Sequence, residues 1–235
     1  MDKFKINGPS KIRGEVSISG SKNAALPILA ATLLFDKNVT IKNLPRVKDI
    51  DTMLNLLKSL GRKISFKNNK KIATISKGKK NNFFAPYSLV KTMRAGILVL
   101  GPLLAKNKKA KVSSPGGCSI GVRPIDIHLK AISKLGVKIQ IEKGYVNAKA
   151  QKGLVGSEIR FSKISVGATE NLILAACLAN GTTTIKNCAI EPEIKDLTNF
   201  LKTAGAKINW IGKRTLKIEG VKTLKSITYS IMNDR

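Results

Sequence analysis

Apolar segments recur along the chain with the same order of elements between them. Three stretches, 24–34, 97–105 and 172–179, are apolar on nearly every side of a helix. Each stretch is followed by a strand rich in β-branched residues, a polar turn, an amphipathic helix and a further strand. Helices that are apolar on every side are usually buried within a domain. The pattern therefore predicts three copies of one unit, each built around a buried helix.

The amphipathic helix of each unit ends at a glycine, namely Gly61, Gly136 and Gly205. In the first of these helices the apolar side chains fall on one stripe, which consists of Ile50, Met53, Leu54, Leu57 and Leu60. A glycine just after the last apolar position commonly ends a helix in the left-handed conformation. We therefore predict a left-handed helix end at all three glycines.

Taken together, the units predict an α/β fold with pseudo-threefold symmetry. We place the repeats at about 17–70, 85–145 and 160–220. Because the apolar helices need to be buried, we expect an inside-out domain in which the helices lie inside and the sheets outside.

The composition adds a strong positive charge. The 235 residues include 43 basic and 14 acidic side chains, which gives a formal net charge of +29. Such a charge is typical of proteins that bind nucleic acids or anionic membranes, but it also arises from a bias toward lysine on solvated faces. The lysines are scattered, aromatic residues make up 5% of the chain, and no nucleic-acid-binding motif accompanies them. We therefore expect no specific nucleic-acid partner, although the field would help to attract a phosphorylated substrate.

Hydropathy and cysteine usage indicate where the protein works. Residues 1–5 contain no secretory signal, and the apolar run 97–105 is interrupted by Gly101 and Pro102 and is too short to span a bilayer. Three cysteines and a single histidine, His128, show no paired spacing for metal ligands. We expect a reduced, cytoplasmic protein with no membrane segment and no bound metal.

The stretch 115–126 carries the strongest chemical signal. Cys118 lies among three glycines and five residues before Arg123. Glycines let backbone N–H groups approach a ligand closely, arginine suits phosphate or carboxylate, and a thiol beside such donors is reactive. This loop predicts covalent or acid–base chemistry on an anionic substrate. The contexts of Cys177 and Cys188 predict inert core or strand residues.

Two segments lead into apolar helices and suit anions. Lys22 and Asn23 come directly before the first buried helix, with Pro27 in its predicted first turn. Residues 163–167 form a glycine-containing turn into a helix that we expect to begin near Thr169. Helix N-termini attract anions through free N–H groups and the helix dipole. The alternative for Lys22 and Asn23 is a solvated lysine beside an N-cap asparagine. The alternative for 163–167 is an ordinary structural turn.

Arg94 and Asp126 each have two interpretations. Arg94 heads a long apolar stretch, so its side chain either extends to solvent or faces a ligand. Asp126 either caps the following helix or takes part in binding, and the two roles are compatible.

Five longer motifs resemble a known family. They are SGSKNAALPILAA at 19–31, APYSLVKTMRA at 85–95, PGGCSIGVRPIDIHL at 115–129, SVGAT at 165–169 and EPEIKDLTNFL at 191–201. These segments are similar to those of the UDP-N-acetylglucosamine enolpyruvyl transferases. The shikimate-pathway enolpyruvyl transferase shares the fold and a similar opening motif but lacks a cysteine loop of this kind.

The resemblance implies transfer of enolpyruvate from phosphoenolpyruvate to the 3-hydroxyl of UDP-N-acetylglucosamine, with release of phosphate and without a metal or organic cofactor. It implies Cys118 as the catalytic residue and assigns Lys22, Asn23 and Arg123 to phosphoenolpyruvate. The residues that it assigns to UDP-N-acetylglucosamine are Arg94, Arg123, Pro124, Ile125, Asp126, Ile127, Lys163, Ile164, Ser165, Val166 and Gly167.

The resemblance also implies a second, similar domain that carries the general base for the 3-hydroxyl. We expect 22–229 to form the three-repeat domain, 1–21 to form strands that pack on the second domain, and 230–235 to begin that second domain. The chain is then either the enzyme, truncated as given or completed by a second chain, or an inactive fragment that at most binds the UDP-sugar. A third alternative is a lysine-rich nucleic-acid binder built on the same fold.

Overall fold

We describe the fold from a computed structural model, which covers residues 3–11, 13–80, 82–91, 93–114 and 125–235. The α-helices are α1 (Lys22–Ala31), α2 (Lys48–Ser59), α3 (Tyr87–Val90), α4 (Leu100–Asn107), α5 (Asp126–Ser133), α6 (Val166–Ala176) and α7 (Pro192–Thr203). Two 3-10 helices, Thr32–Leu34 and Arg94–Val99, follow α1 and precede α4. The strands are β1 (Val39–Lys42), β2 (Arg62–Lys67), β3 (Ile72–Lys77), β4 (Phe84–Ala85), β5 (Lys109–Ser113), β6 (Lys138–Glu142), β7 (Tyr145–Lys149), β8 (Glu158–Arg160), β9 (Thr182–Lys186), β10 (Lys207–Gly212), β11 (Thr215–Glu219) and β12 (Ile227–Ser230).

The three sheets follow one plan. Their strand orders are β12-β1-β3-β2, β4-β5-β7-β6 and β8-β9-β11-β10. In each sheet the first two strands are parallel and the other neighbours are antiparallel. The same topology recurs three times, which confirms the predicted α/β class and the three pseudo-symmetric repeats.

The apolar helices lie at the centre of the domain. Residues 24–31 of α1 and 168–176 of α6 are all buried, and the start of α4 is buried as well. α4 packs on α6, while α1 packs on the 3-10 helix Arg94–Val99 and on α6. Strands such as β1 alternate between buried and more exposed residues, so each sheet has one face toward the helices and one toward solvent. The predicted inside-out arrangement is confirmed.

The helix ends at the three repeat glycines are also as predicted. Gly61, Gly136 and Gly205 have φ values of +94°, +83° and +96° and follow α2, α5 and α7. Only glycine adopts this conformation without a steric penalty from Cβ. In the described part of the chain, no helix is both long and apolar enough to cross a membrane.

The last residues of the chain pack against the first repeat. β12 pairs with β1 in parallel, and beyond it Asn43 Nδ2 donates to the carbonyl of Ile231 at 3.0 Å. Ser21 N donates to Met232 O at 2.8 Å, and Asp234 N donates to Ser19 O at 2.8 Å. Residues 230–235 therefore contact the start of the first repeat, and their assignment to the start of a second domain stays a prediction.

The first residues behave differently from the prediction of strands in 1–21. Residues 3–11 and 13–19 contain no strand, and the large apolar side chains of Phe4, Ile6 and Val16 are exposed. A strand forms only where another strand satisfies its backbone N–H and C=O groups. That a second domain supplies this pairing stays a prediction.

The second and third repeats approach each other closely at Gly101 of α4. A Cβ atom at this position would lie 2.4 Å from the backbone oxygen of Asn171 and 3.2 Å from the nitrogen of Ala175, both on α6. The two helices reach this distance only because position 101 has no side chain.

The Gly101→Ala variant is therefore expected to lower the free energy of unfolding by about 2 kcal/mol, because an added methyl group in a packed interior forces backbone shifts. Chemical denaturation measures this change. Gly8→Ala is the matched control, since a Cβ there would meet nothing within 4 Å. A Gly101→Ala protein as stable as the parent would contradict the close approach of α4 and α6.

Candidate functional site

The cysteine loop cannot be described in the structure. Cys118, Arg123 and Pro124 belong to 115–124, which lies outside the described residues. The roles assigned to these three residues therefore stay predictions.

The N-terminus of α1 places Lys22 and Asn23 in the first turn of the helix. Ser21 is the N-cap, and its Oγ accepts a hydrogen bond from Ala24 N at 3.4 Å. Because the helix begins at Lys22, the prediction of Asn23 as an N-cap is wrong. The placement of Pro27 in the first turn is also wrong, since it lies inside the helix.

Lys22 has an ion-pair partner that the sequence did not suggest. Its Nζ lies 3.3 Å from Oδ2 of Asp49, in the first turn of α2, and both side chains are partly exposed. An exposed ion pair of this kind contributes little to stability. The lysine can therefore exchange this carboxylate for an anionic ligand at small cost.

The segment 163–167 forms a capped helix start. Ser165 is the N-cap of α6, and its Oγ accepts from Ala168 N at 3.3 Å. The helix begins at Val166, three residues earlier than predicted. Lys163 and Ile164 are exposed beside it. Free N–H groups of the first turn and a nearby lysine form an arrangement suited to phosphate.

The segment 125–127 forms the start of α5. Asp126 is the first helical residue and Ile125 is the N-cap without a side-chain hydrogen bond, so the prediction of Asp126 as N-cap is wrong. Instead, Asp126 Oδ2 lies 3.8 Å from Nζ of Lys130, one turn later. Ile125 and Ile127 are partly buried against the apolar core.

Contact between His128 and Gly167 brings these two helix starts together. A Cβ atom on Gly167 would lie 3.1 Å from Cε1 and 3.4 Å from Nε2 of His128. The segments 125–127 and 163–167 are about forty residues apart in the sequence, yet they border one another in the fold. Two of the segments that the resemblance assigns to UDP-N-acetylglucosamine thus lie side by side.

A buried hydrogen-bond network holds His128 in place. Asn171, fully buried in α6, donates from Nδ2 to Ile97 O at 2.9 Å, and its Nδ2 lies 3.3 Å from His128 Nδ1. Asn171 Oδ1 accepts from Gly101 N at 2.8 Å. Because the amide nitrogen can only donate, we assign His128 Nδ1 as the acceptor and place the ring proton on Nε2, toward Gly167.

Burial and the nearby positive charge of Arg94 lower the pKa of His128 to about 4, while the Asp126 carboxylate acts in the opposite direction. The imidazole is therefore neutral at pH 7. The effect also shows that Arg94, an exposed residue at the start of its 3-10 helix, acts on the same cluster. Sequence reasoning did not identify His128 or Asn171. The sequence signal that could have identified this network was the single asparagine in the apolar run of α6.

The other two cysteines are poor nucleophiles. Burial raises the pKa of Cys177 to about 12 and that of Cys188 to about 11. Both therefore stay protonated near pH 7, as expected of inert core residues. Among the described residues, no group of histidine, cysteine and carboxylate side chains could hold a metal ion.

A buried acidic cluster between α6 and α7 was also missed. Glu170 in α6 is 5% exposed, and burial together with Glu193 and Glu191 raises its pKa to about 8. Glu193 pairs with Arg235 Nη2 at 3.2 Å. Glu170 is therefore protonated at neutral pH, and its position inside an apolar helix gives it a large effect on stability.

The fold is shared with solved structures of enolpyruvyl transferases. A three-repeat inside-out α/β domain is shared with the structure of the enolpyruvyl transferase NikO from Streptomyces tendae, at a TM-score of 0.82 and 22% identity over 97% of this chain and 53% of that one. EPSP synthase from Acinetobacter baumannii has a TM-score of 0.76 at 19% identity, over 94% of this chain and 50% of that one. Identities this low show the fold alone.

The family follows from the sequence. The family model described as EPSP synthase (3-phosphoshikimate 1-carboxyvinyltransferase) matches residues 6–235, and the chain belongs to this family.

Curated relatives are more similar to this chain in sequence than the solved structures are. The UDP-N-acetylglucosamine 1-carboxyvinyltransferase of Pelagibacter ubique is 64% identical over 235 residues, which are 100% of this chain and 56% of the relative. The protein of the same name from a Psychrobacter species is 51% identical over 237 residues, 100% of this chain and 54% of the relative. The chain thus spans about half the length of these relatives.

Proposed function

We propose that a protein containing this chain transfers enolpyruvate from phosphoenolpyruvate to the 3-hydroxyl of UDP-N-acetylglucosamine and releases phosphate. The observation that carries the proposal is the 64% identity, over the whole chain, to a relative named UDP-N-acetylglucosamine 1-carboxyvinyltransferase. The adjoining helix starts at 125–127 and 163–167 support it, because they offer N–H groups and charge where a nucleotide sugar needs them. The reaction would serve peptidoglycan synthesis in the cytoplasm, and through it cell shape and division.

The nucleotide sugar would bind along the two adjoining helix starts. Lys163 and the N–H groups that begin α6 suit the diphosphate, while Arg94 adds a further positive charge on the side of His128. The segment from Arg123 to Ile127 would complete this surface. Neutral His128 fixes the distance between the helix starts without adding charge of its own.

Phosphoenolpyruvate would bind at the start of α1. Lys22 and the free N–H groups of the first turn suit a phosphate or a carboxylate, with Asn23 and Arg123 as further donors. Asp49 holds Lys22 in the free protein. An incoming dianion would replace that single carboxylate, so part of the binding free energy would depend on breaking the Lys22–Asp49 pair.

The chemistry would be addition followed by elimination. The 3-hydroxyl oxygen adds to C2 of phosphoenolpyruvate, its proton passes to a base, and Cys118 gives a proton to C3, which forms a tetrahedral ketal. Loss of a proton from C3 then expels phosphate and restores the double bond in the enolpyruvyl ether. The base would come from a second domain, which the relatives have room for since this chain spans 56% of the Pelagibacter protein.

That same coverage favours one alternative. A chain that supplies one domain can bind the UDP-sugar and still show no turnover, because the base is absent. Binding and turnover must therefore be measured separately.

Replacing Lys163 by glutamine tests the binding half of the proposal. We expect calorimetric titration of this chain with UDP-N-acetylglucosamine to show roughly tenfold weaker binding in Lys163→Gln, which corresponds to about 1.4 kcal/mol for a lost charge-assisted contact. Lys195→Gln, a change at an exposed position of α7, is the matched control. Equal affinities in both variants, or no binding to the folded parent chain, would contradict the assignment.

A further inference from the structure

A cavity of about 270 Å³ lies between the β1–α2 loop and the β2–β3 hairpin, and none of the residues assigned to either substrate lines it. Its apolar lining includes Leu44, Ile50, Leu54 and Phe66. Leu44, Ile50 and Leu54 are buried side chains of the core. The cavity therefore has a rigid apolar floor, which is the usual base of a small-molecule site.

Three cationic side chains line the same cavity, namely Arg46, Lys48 and Lys70, against one acidic side chain, Asp51. Within the described residues, none of the three cations has an ion-pair partner within 4 Å. The neighbouring carboxylate of Asp49 is engaged by Lys22. The rim thus has uncompensated positive charge above an apolar floor.

The hairpin that carries Lys70 has an unusual backbone. Asn68, Asn69 and Lys70 are all left-handed, with φ values of 49°, 48° and 63°. Asparagine tolerates this conformation, but for lysine it is sparsely populated and costs free energy. Leu44 N donates to Lys71 O at 3.0 Å, which ties the hairpin to the β1–α2 loop. These features hold Lys70 over the cavity.

We propose that this cavity binds a small organic anion that has an apolar ring or chain and a phosphate or carboxylate group. The apolar part would occupy the floor formed by Leu44, Ile50 and Leu54. The anionic part would lie at the rim, where the planar guanidinium of Arg46 can donate two parallel hydrogen bonds. The volume of about 270 Å³ limits the ligand to a small molecule.

This cavity borders the candidate catalytic site through one residue. Asp49, the partner of Lys22, lies in the sequence between Lys48 and Ile50 of the cavity. A probe with a phosphate group could also bind at Lys22. The test therefore measures only probe binding, in one variant of the cavity and one variant of the Lys22 site. Its outcome does not depend on the proposed transferase activity.

The probe is 1-naphthyl phosphate, titrated into the chain by calorimetry. Val47→Trp, at a partly exposed residue of the rim, fills the cavity and is expected to weaken binding at least tenfold. Val155→Trp, at an exposed position elsewhere, and Lys22→Gln are expected to leave the affinity unchanged. 1-Naphthoate is expected to bind the parent, Val155→Trp and Lys22→Gln and to bind Val47→Trp at least tenfold more weakly. Neutral 1-naphthol is expected to bind the parent much more weakly than either anion.

Three results would overturn the proposal: no binding of either anion to the parent, the same affinity for Val47→Trp as for the parent, or loss of binding in Lys22→Gln. Equal binding of 1-naphthol would overturn the role of the cationic rim. Thermal unfolding of each variant shows that a lost affinity does not arise from a lost fold.

Discussion

Replacing Glu170 by glutamine is expected to stabilise the folded chain strongly at pH 8 and only slightly at pH 5. The free energy of unfolding of Glu170→Gln should exceed that of the parent by about 4 kcal/mol at pH 8 and by about 1 kcal/mol at pH 5. Denaturant titrations at the two pH values measure both differences.

The direction follows from the raised pKa of Glu170. Burial, with Glu193 and Glu191 nearby, raises it from 4.5 to about 8 in the folded chain. Between these two values the unfolded chain has released the proton and the folded chain keeps it. The stabilisation from the protonated carboxyl is complete below pH 4.5 and is lost as the pH rises toward 8. Glutamine does not ionise, so the free energy of unfolding of the variant does not fall in this way as the pH rises.

Glu142→Gln provides the control, because Glu142 is exposed at the end of β6. Its effect should stay within about 0.5 kcal/mol at both pH values. A difference between Glu170→Gln and the parent that does not change with pH would show that Glu170 is not buried as a neutral acid.

The second large effect is expected for Asn171→Leu, which should lower the free energy of unfolding by about 4 kcal/mol. Leucine has a similar volume but leaves Gly101 N–H, Ile97 C=O and His128 Nδ1 without the partner that Asn171 provides. Each buried polar group left unsatisfied costs about 1–3 kcal/mol. Because these three groups lie in the second repeat and Asn171 lies in the third, the change should loosen the contact between the two repeats.

Asn199→Leu, on the exposed face of α7, is the matched control and should change stability by less than about 0.5 kcal/mol. Amide hydrogen exchange adds a second readout, since the N–H of Gly101 should lose protection in Asn171→Leu. Retained protection together with unchanged stability would contradict the network.

Much of the fold could be predicted from the sequence because it depends on local patterns. The apolar runs that became α1, α4 and α6 are recognisable from composition alone, and Gly61, Gly136 and Gly205 follow amphipathic helices. Helix starts were less predictable. Ser21, two residues before Asn23, caps α1, so Asn23 lies in the first turn and Pro27 lies beyond it. The side chain of Asp126 does not cap α5.

The groups with the largest energetic effects could not be predicted, because they depend on contacts between repeats. Glu170 and Asn171 are adjacent polar residues in the apolar helix α6, and nothing local shows that one is a neutral acid and the other a bridge to Gly101 and His128. The ion pair of Lys22 with Asp49 likewise joins two helices. The resemblance implied strands within 1–21 that pack on a second domain, and a strand needs such a neighbour to pair with.

The sequence motifs and the resemblance assigned several segments to the candidate site. The fold shows which of these segments are adjacent. Residues 125–127 and 163–167 meet through His128 and Gly167. The pattern alone left each of these segments open to a purely structural interpretation. Their adjacency around helix starts supports the proposed nucleotide-sugar site.

The proposed function makes this chain the substrate-binding domain of an enolpyruvyl transferase that acts on UDP-N-acetylglucosamine. Its most direct test is phosphate release from phosphoenolpyruvate by a fusion of this chain to the downstream part of the Pelagibacter ubique relative, which is 64% identical over the shared region. We expect release that requires UDP-N-acetylglucosamine and stops in the Cys118→Ser fusion. Release with shikimate 3-phosphate instead, or no release from a folded fusion while the intact relative is active, would contradict the claim.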